Sequence, residues 1–314
     1  MTLIDSLVTV SFIRINVLIK VLLTKKKFPD RAVRAIRYAL TGLAAEPFYW
    51  AQHTVYKDNK KTPKDPIFII GHWRSGTTYL HTLLVDFNKA STIRNTFSMC
   101  PQAALMLKPI FKRLKVSPTR SIDWVPWSMN DPQELDLALL RVTNNMPHYS
   151  NCMGEDFGEQ IKIWCREDLD NRFRDNLVKI MEWAWIHDGV DGQPFILKTP
   201  ALTCHIPTIL NVWPNARFVY INREKGLQES FEKILTIFNE QYGCWRLDGH
   251  NIDNSAAKSI RYLKKRFNDT KKMIPKGNLI EITYEELIDS PQETIKKANK
   301  IINKDKFEDR LSGK

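Results

Sequence analysis

The sequence predicts an α/β protein, a three-layer fold in which helices flank a parallel sheet of four or five strands. Three observations carry this. Short apolar runs at 66–71 ("PIFIIG"), 193–200 ("QPFILKTP"), 215–223 ("NARFVYINR") and the first half of 278–287 ("NLIEITYEEL") have the length and branched content of buried strands. Segments of helical periodicity separate them. The first run passes through a glycine-bounded loop into a helix, the opening of a βαβ unit.

The 314 residues suit one domain spanning 1–314, with 43% apolar and 26% charged residues, ordinary for a globular chain. Lys and Arg outnumber Asp and Glu by 47 to 35, a net charge of +12, which favours anionic partners. No RNP-type motif or zinc finger is present, so nucleic acid is not the expected partner. Five cysteines, at 100, 152, 165, 204 and 244, have no paired spacing. They read as free thiols of a cytoplasmic, reducing compartment, and no metal site is expected.

In chain order, residues 1–60 read as a helical extension. The apolar stretch 7–23 is interrupted by Arg14 and Lys20 and falls short of the roughly 20 apolar residues that cross a bilayer. It has no basic start and no cleavage site. It is expected to pack on the domain, with peripheral contact to a membrane as the alternative. A polar loop (58–65) precedes the first strand, and Leu80, Leu83, Leu84 and Phe87 mark the helix after it. Residues 97–165, which contain Met99, Met106, Trp124, Trp127 and Met129, are expected to form a lid over an apolar acceptor. Within them 131–142 reads as a helix with Pro132 at its first position. A helix spans 168–188, and another, 227–238, follows the third strand. The segment 258–276 carries eight basic residues against Asp269 and reads as a basic-faced helix.

The loop carries the chemistry. In "GHWRSGTTYLHTLL" (71–84), Gly71 and Gly76 bracket four residues and Thr77 and Thr78 follow, a P-loop-like arrangement that aims backbone N–H groups and a helix N-terminus at an anion. The lysine that a nucleoside-triphosphate loop places after its second glycine is replaced by Thr77. No acidic residue ends a neighbouring strand to hold Mg²⁺. The ends carry cations instead: Lys198 on the second strand and Arg223 on the third, beside Arg74 in the loop. This suits a compact polyanion without a γ-phosphate.

"FIIGHWRSGTTYLHTLL" resembles the 5′-phosphosulfate loop of PAPS-dependent sulfotransferases, and "NARFVYINREKGLQES" is similar to their 3′-phosphate motif. "ILKTP", "PQE" and "ITYEELIDSPQETI" are similar to segments of the bacterial, broad-specificity branch, and the likeness covers roughly residues 60–300. The resemblance implies PAPS as cosubstrate, PAP as product and a small hydroxyl acceptor, of which a sterol or lipid alcohol fits the apolar lid. It implies that Arg74, Ser75, Gly76, Thr77 and Thr78 hold the 5′ end and that Arg223 and Ser230 hold the 3′-phosphate. The spacing from Arg223 to Ser230 is one residue shorter than the family's. The Arg-Lys-Gly segment of cytosolic members is not visible.

Cytosolic members end the second strand with Lys-Thr-His, whose histidine is the base. Here it reads Lys198-Thr199-Pro200, and proline accepts no proton. Glu134 is the first candidate base and His72 the second, ahead of His81, His148 and His205. Arg74 and Lys198 are the cations expected to meet charge developing on the sulfuryl group. Two alternatives stand beside this reading: a P-loop small-molecule kinase, and a basic anion- or membrane-binding protein without catalysis.

Overall fold

In a computed structural model the chain is described at residues 3–25, 27–144, 146–166, 171–247 and 252–304. Three helices come first: α1 (Leu3–Thr9), α2 (Ile15–Leu23) and α3 (Ala32–Val55). Four strands follow along the chain: β1 (Ile67–Gly71), β2 (Ile196–Lys198), β3 (Arg217–Asn222) and β4 (Leu279–Thr283). They form one parallel sheet in the order β2-β1-β3-β4. Every residue of β1 is buried. Period-two alternation divides its side chains between two layers. Phe68 and Ile70 join the larger core with Phe218 and Tyr220. Ile67 and Ile69 pack on the other face with Leu80, Leu84 and Ile295. A strand with both faces covered needs apolar residues throughout, hence the unbroken "IFII".

Helix α4 (Thr77–Asn88) follows the loop, and α5 (Asn95–Ser98), α6 (Ala104–Phe111), α7 (Leu135–Val142), α8 (His148–Cys152), α9 (Phe157–Trp164) and α10 (Asn171–Asp188) lead to β2. Beyond it come α11 (Ile206–Val212), α12 (Leu227–Tyr242), α13 (Ile252–Thr270), α14 (Tyr284–Asp289) and α15 (Pro291–Ile302). The chain leaves β1 first to one side, for β2, and later returns to its other side, for β3. The carboxyl edge between β1 and β3 is therefore a topological switch point, where ligands of such sheets sit.

Several expectations need correction. The helix expected from Pro132 begins at Leu135. Glu134 stays extended and bridges to Lys198 in parallel, and Pro132 bridges to Arg94. A side chain that must reach β2 is thus held by backbone pairing, and the helix starts after it. The basic segment 258–276 forms a helix only to Thr270, then one 3₁₀ turn before Pro275. The stretch 7–23 is two helices, and Val8, Val10, Ile13, Val17, Leu18 and Val21 are buried. The helix expected at 168–188 is described from Asn171, and residues 168–170 lie outside the described residues. Among the described residues no helix is long and apolar enough to cross a membrane. All five cysteines are free and buried.

Candidate active site

The loop between β1 and α4 is shaped by its own polar groups. Gly76 caps α4 at φ 91, and a Cβ there would lie 2.6 Å from Cδ2 of Tyr284, so both conformation and space require glycine. Arg74 also has a positive φ, 69. Ser75 donates from its hydroxyl to the carbonyl of His72 at 2.7 Å and is fully buried. His72 turns inward too. Its Nδ1 lies 2.7 Å from the Trp73 carbonyl, which can only accept, so Nδ1 carries the proton; Nε2 meets Ser259 Oγ at 3.0 Å. Burial lowers its pKa to about 4, against the Trp73 hydrogen bond. His72 and Ser75 thus build the loop from behind, and neither side chain faces the cavity described below, unlike the roles expected of them. Gly76, Thr77 and Thr78 do line it. The first turn of α4 offers N–H groups that have no intrahelical acceptor.

Arg74, Ser230 and Arg223 come together at this edge. Arg74 Nε donates to Ser230 Oγ at 3.1 Å, and Arg223 donates to the Arg74 carbonyl at 3.1 Å while its guanidinium lies 4.5 Å over the Tyr284 ring. The one-residue shortfall in sequence spacing does not separate them. Arg74 also pairs with Asp123 at 3.0 Å, and Asp123 takes two hydrogen bonds from Arg120. Sequence reasoning did not find Asp123 or Arg120. Their signal, an Arg-x-x-Asp on a loop, is too common to stand out.

Lys198 lies fully buried at the end of β2, reaching Thr78 Oγ1 and Glu134 Oε1, each at 2.7 Å. It sits behind Thr78 and does not itself line the cavity. Burial pulls its pKa down and Glu134 opposes this. Burial pushes Glu134 up, but the charge and hydrogen bond of Lys198 outweigh it and hold the carboxyl below the usual range. The neighbouring Asp136 accepts from Thr199 Oγ1 at 2.5 Å and from the Ala201 N–H at 2.9 Å. Burial and the charge of Glu134 raise its pKa to about 7.

His148 completes the group. Ligand atoms of Glu134, Asp136 and His148 lie within 4.8 Å of one another. The carboxylates are already engaged by Lys198, Thr199 and Ala201, so the set is built as a hydrogen-bonded network. Burial lowers His148 to about 4, with Glu134 opposing, so its imidazole is neutral at pH 7. Its Nδ1 is buried without a hydrogen-bond partner among the described residues. The sequence ranked His148 low because 60 or more positions separate it from the loop and nothing in one dimension shows that α8 returns to it.

Behind these groups opens a cavity of about 570 Å³. Its walls include Trp73, Trp127, Leu137, Phe157, Phe231 and Phe238, with Glu134, His148, Arg74 and Arg223 among its polar groups. Of the five lid residues singled out, only Trp127 lines it. Met99 and Met129 pack in a separate core, and Trp124 is 77% exposed. One wall comes from α12, through Phe231, Ile234, Leu235 and Phe238.

A sequence model described as the Sulfotransferase family matches residues 66–304. The chain is 22% identical over 259 residues to the omega-hydroxy-beta-dihydromenaquinone-9 sulfotransferase Stf3 of Mycobacterium bovis and of Mycobacterium tuberculosis, covering 77% of this chain and 64% of theirs. The chain thus spans a little under two thirds of those relatives' length. The fold is similar to sulfotransferase STF9 from Mycobacterium avium, with a TM-score of 0.67 at 14% identity, covering 90% of this chain and 76% of that one. It is also similar to STF1 from Mycobacterium tuberculosis, with a TM-score of 0.61 at 17% identity, covering 89% and 79%.

Proposed function

Because the chain belongs to the sulfotransferase family, we propose that it moves a sulfuryl group from PAPS to the hydroxyl of a hydrophobic alcohol of lipid or sterol type. The observation that carries this is one edge of the sheet. There a phosphate loop, Arg74 and Arg223 open onto an apolar cavity of about 570 Å³. That volume falls in the range of small-molecule sites. The relatives that act on a hydroxylated menaquinone lend the lipid reading weight. The buried free thiols suit a cytoplasmic enzyme.

The residues present fit the donor. Backbone N–H groups at the start of α4 with Thr77 and Thr78 suit a 5′-phosphate, and Arg223 with Ser230 suits a 3′-phosphate, for which a guanidinium fork is well shaped. PAPS, when bound, supplies an activated sulfuryl group with PAP as its leaving portion. Arg74 faces the cavity and can neutralise charge there. Lys198 acts from behind, positioning Thr78 and Glu134.

The base is His148 in this reading. Glu134 is tied to Lys198, whereas His148 lines the cavity as a neutral imidazole whose Nδ1 has no hydrogen-bond partner among the described residues, so it has a ring nitrogen free to take a proton. Glu134 keeps a role as the carboxylate that stabilises the imidazolium. The lid, in this reading, is the segment 120–127, which Asp123 ties to Arg74. The test is transfer of radiolabelled sulfur from PAPS across alcohols that include sterols, long-chain alcohols, phenols and sugars. Labelled product with the long-chain or sterol alcohols is expected. Labelling of sugars alone would contradict the acceptor class, and no labelled product with any acceptor would contradict the donor.

A further inference from the structure

Helix α3 has two apolar faces. One packs inward through Ala35, Tyr38, Gly42 and Ala45. A Cβ on Gly42 would lie 2.3 Å from the Ile13 carbonyl, so this side is pressed against the chain leading into α2. The opposite face is open. Its exposed positions are Val33, Ile36, Leu40, Leu43, Ala44, Pro47, Trp50, Thr54 and Val55, with Val33 at 83% and Trp50 at 60%. None is charged, whereas a helix on a water-facing surface presents charged residues there. Ile19, Leu23 and Phe28, just before α3, are exposed as well. The stripe runs the whole helix, about 36 Å at 1.5 Å per residue.

The charge around it points to one occupant. Residues 1–65 hold twelve Lys and Arg against five Asp and Glu. Exposed lysines flank the stripe along the chain: Lys20 and Lys27 before it, and Lys57, Lys60, Lys61 and Lys64 after it. An apolar face with cationic flanks fits a bilayer surface with anionic headgroups, the apolar side chains entering the acyl boundary and the lysines staying with the phosphates. A tryptophan near one end suits the headgroup level. A second copy fits less well, because Pro47 sits in the stripe where a helix-pairing seam needs a packing side chain.

The geometry points to α3 as a membrane-docking helix that lays the protein on an anionic lipid surface. This goes beyond the transfer reaction. It also moves the centre of the expected contact from 7–23, where Val8, Val10, Ile13, Val17, Leu18 and Val21 are buried, to 33–55.

Co-sedimentation of the full chain with unilamellar vesicles tests it without donor or acceptor, so its failure is separate from failure of the transfer reading. The protein should bind vesicles of phosphatidylglycerol and phosphatidylcholine, bind phosphatidylcholine alone weakly, and lose binding as salt rises. Leu40→Gln with Leu43→Gln should lower partitioning at least tenfold with an unchanged circular-dichroism melt, since both side chains are exposed. Lys60→Gln with Lys61→Gln should lower it by about tenfold or more on anionic vesicles. A wild-type protein that stays in the supernatant with both lipids overturns the proposal, as does binding indifferent to the leucine pair. A dimer in sedimentation equilibrium that the leucine pair turns into monomer gives the face to a second copy and overturns it equally.

Discussion

The proton inventory of the site turns on three neighbours, Glu134, Asp136 and His148, and each is set by what surrounds it. His148→Asn keeps size and polarity but removes the base. It should leave PAP binding intact and lower turnover by roughly 10²–10⁴-fold, read by single-turnover kinetics. If that variant stays active and Glu134→Gln loses turnover instead, Glu134 is the base. Asp136 makes a separate prediction. Its folded pKa is about 7 against an ordinary 3.8. A raised carboxyl binds more protons folded than unfolded, so its contribution is fully present below about 3.8 and is lost as pH rises through about 7. Glu134, shifted down, contributes in the opposite sense, and its share is lost only as pH falls below the ordinary carboxylate range. Asp136→Asn keeps an acceptor for the Ala201 N–H and reverses the bond to Thr199, whose Oγ1 would now accept from the amide. It should flatten the fall in stability between pH 4 and 7, measured by denaturant midpoints. An unchanged slope would show that Asp136 ionises normally.

At the scale of elements the loop–helix junction sets the tolerance. Gly76→Ala puts a methyl against Tyr284 and holds a side chain at φ 91. The backbone strain alone costs about 1–3 kcal/mol. The melting temperature should fall, and Tyr284→Ala should restore only the part due to the clash. Full recovery in the double variant would mean the left-handed conformation is not strained. The same junction explains what was legible in the sequence. Strand runs such as "IFII", and the glycines that bracket the loop, are dictated locally by burial and backbone conformation, so they can be read from neighbours in the chain. So can Arg74, Lys198 and Arg223, because residues ending parallel strands share one edge. What could not be read depends on distant packing. His72 and Ser75 sit in the loop, yet their direction is decided by Ser259 on α13 and by the loop's own carbonyl. Glu134 bonds Lys198 across 64 positions. The stripe of α12 looks the same in sequence whether it faces core or cavity.

Over the whole molecule, the topology gathers Arg74, Lys198 and Arg223, which follow or end β1, β2 and β3, at one edge of the sheet in a chain whose net charge is +12. A carboxyl edge so charged draws polyanions, but the charge alone does not distinguish a nucleoside triphosphate from a bisphosphorylated nucleotide. The distinction rests on Thr77 in place of a lysine and on the Arg74–Ser230–Arg223 cluster. Calorimetric titration of PAP and of ATP, each with Mg²⁺ and with a chelator, measures it on the wild type and on Arg223→Ala. PAP should bind equally well with and without Mg²⁺, and ATP at least tenfold more weakly. Arg223→Ala should weaken PAP by the worth of a charged hydrogen bond, about 1.5–3 kcal/mol or roughly ten- to hundredfold. ATP binding tighter than PAP and only with Mg²⁺, or PAP binding unchanged in Arg223→Ala, would contradict the site as described.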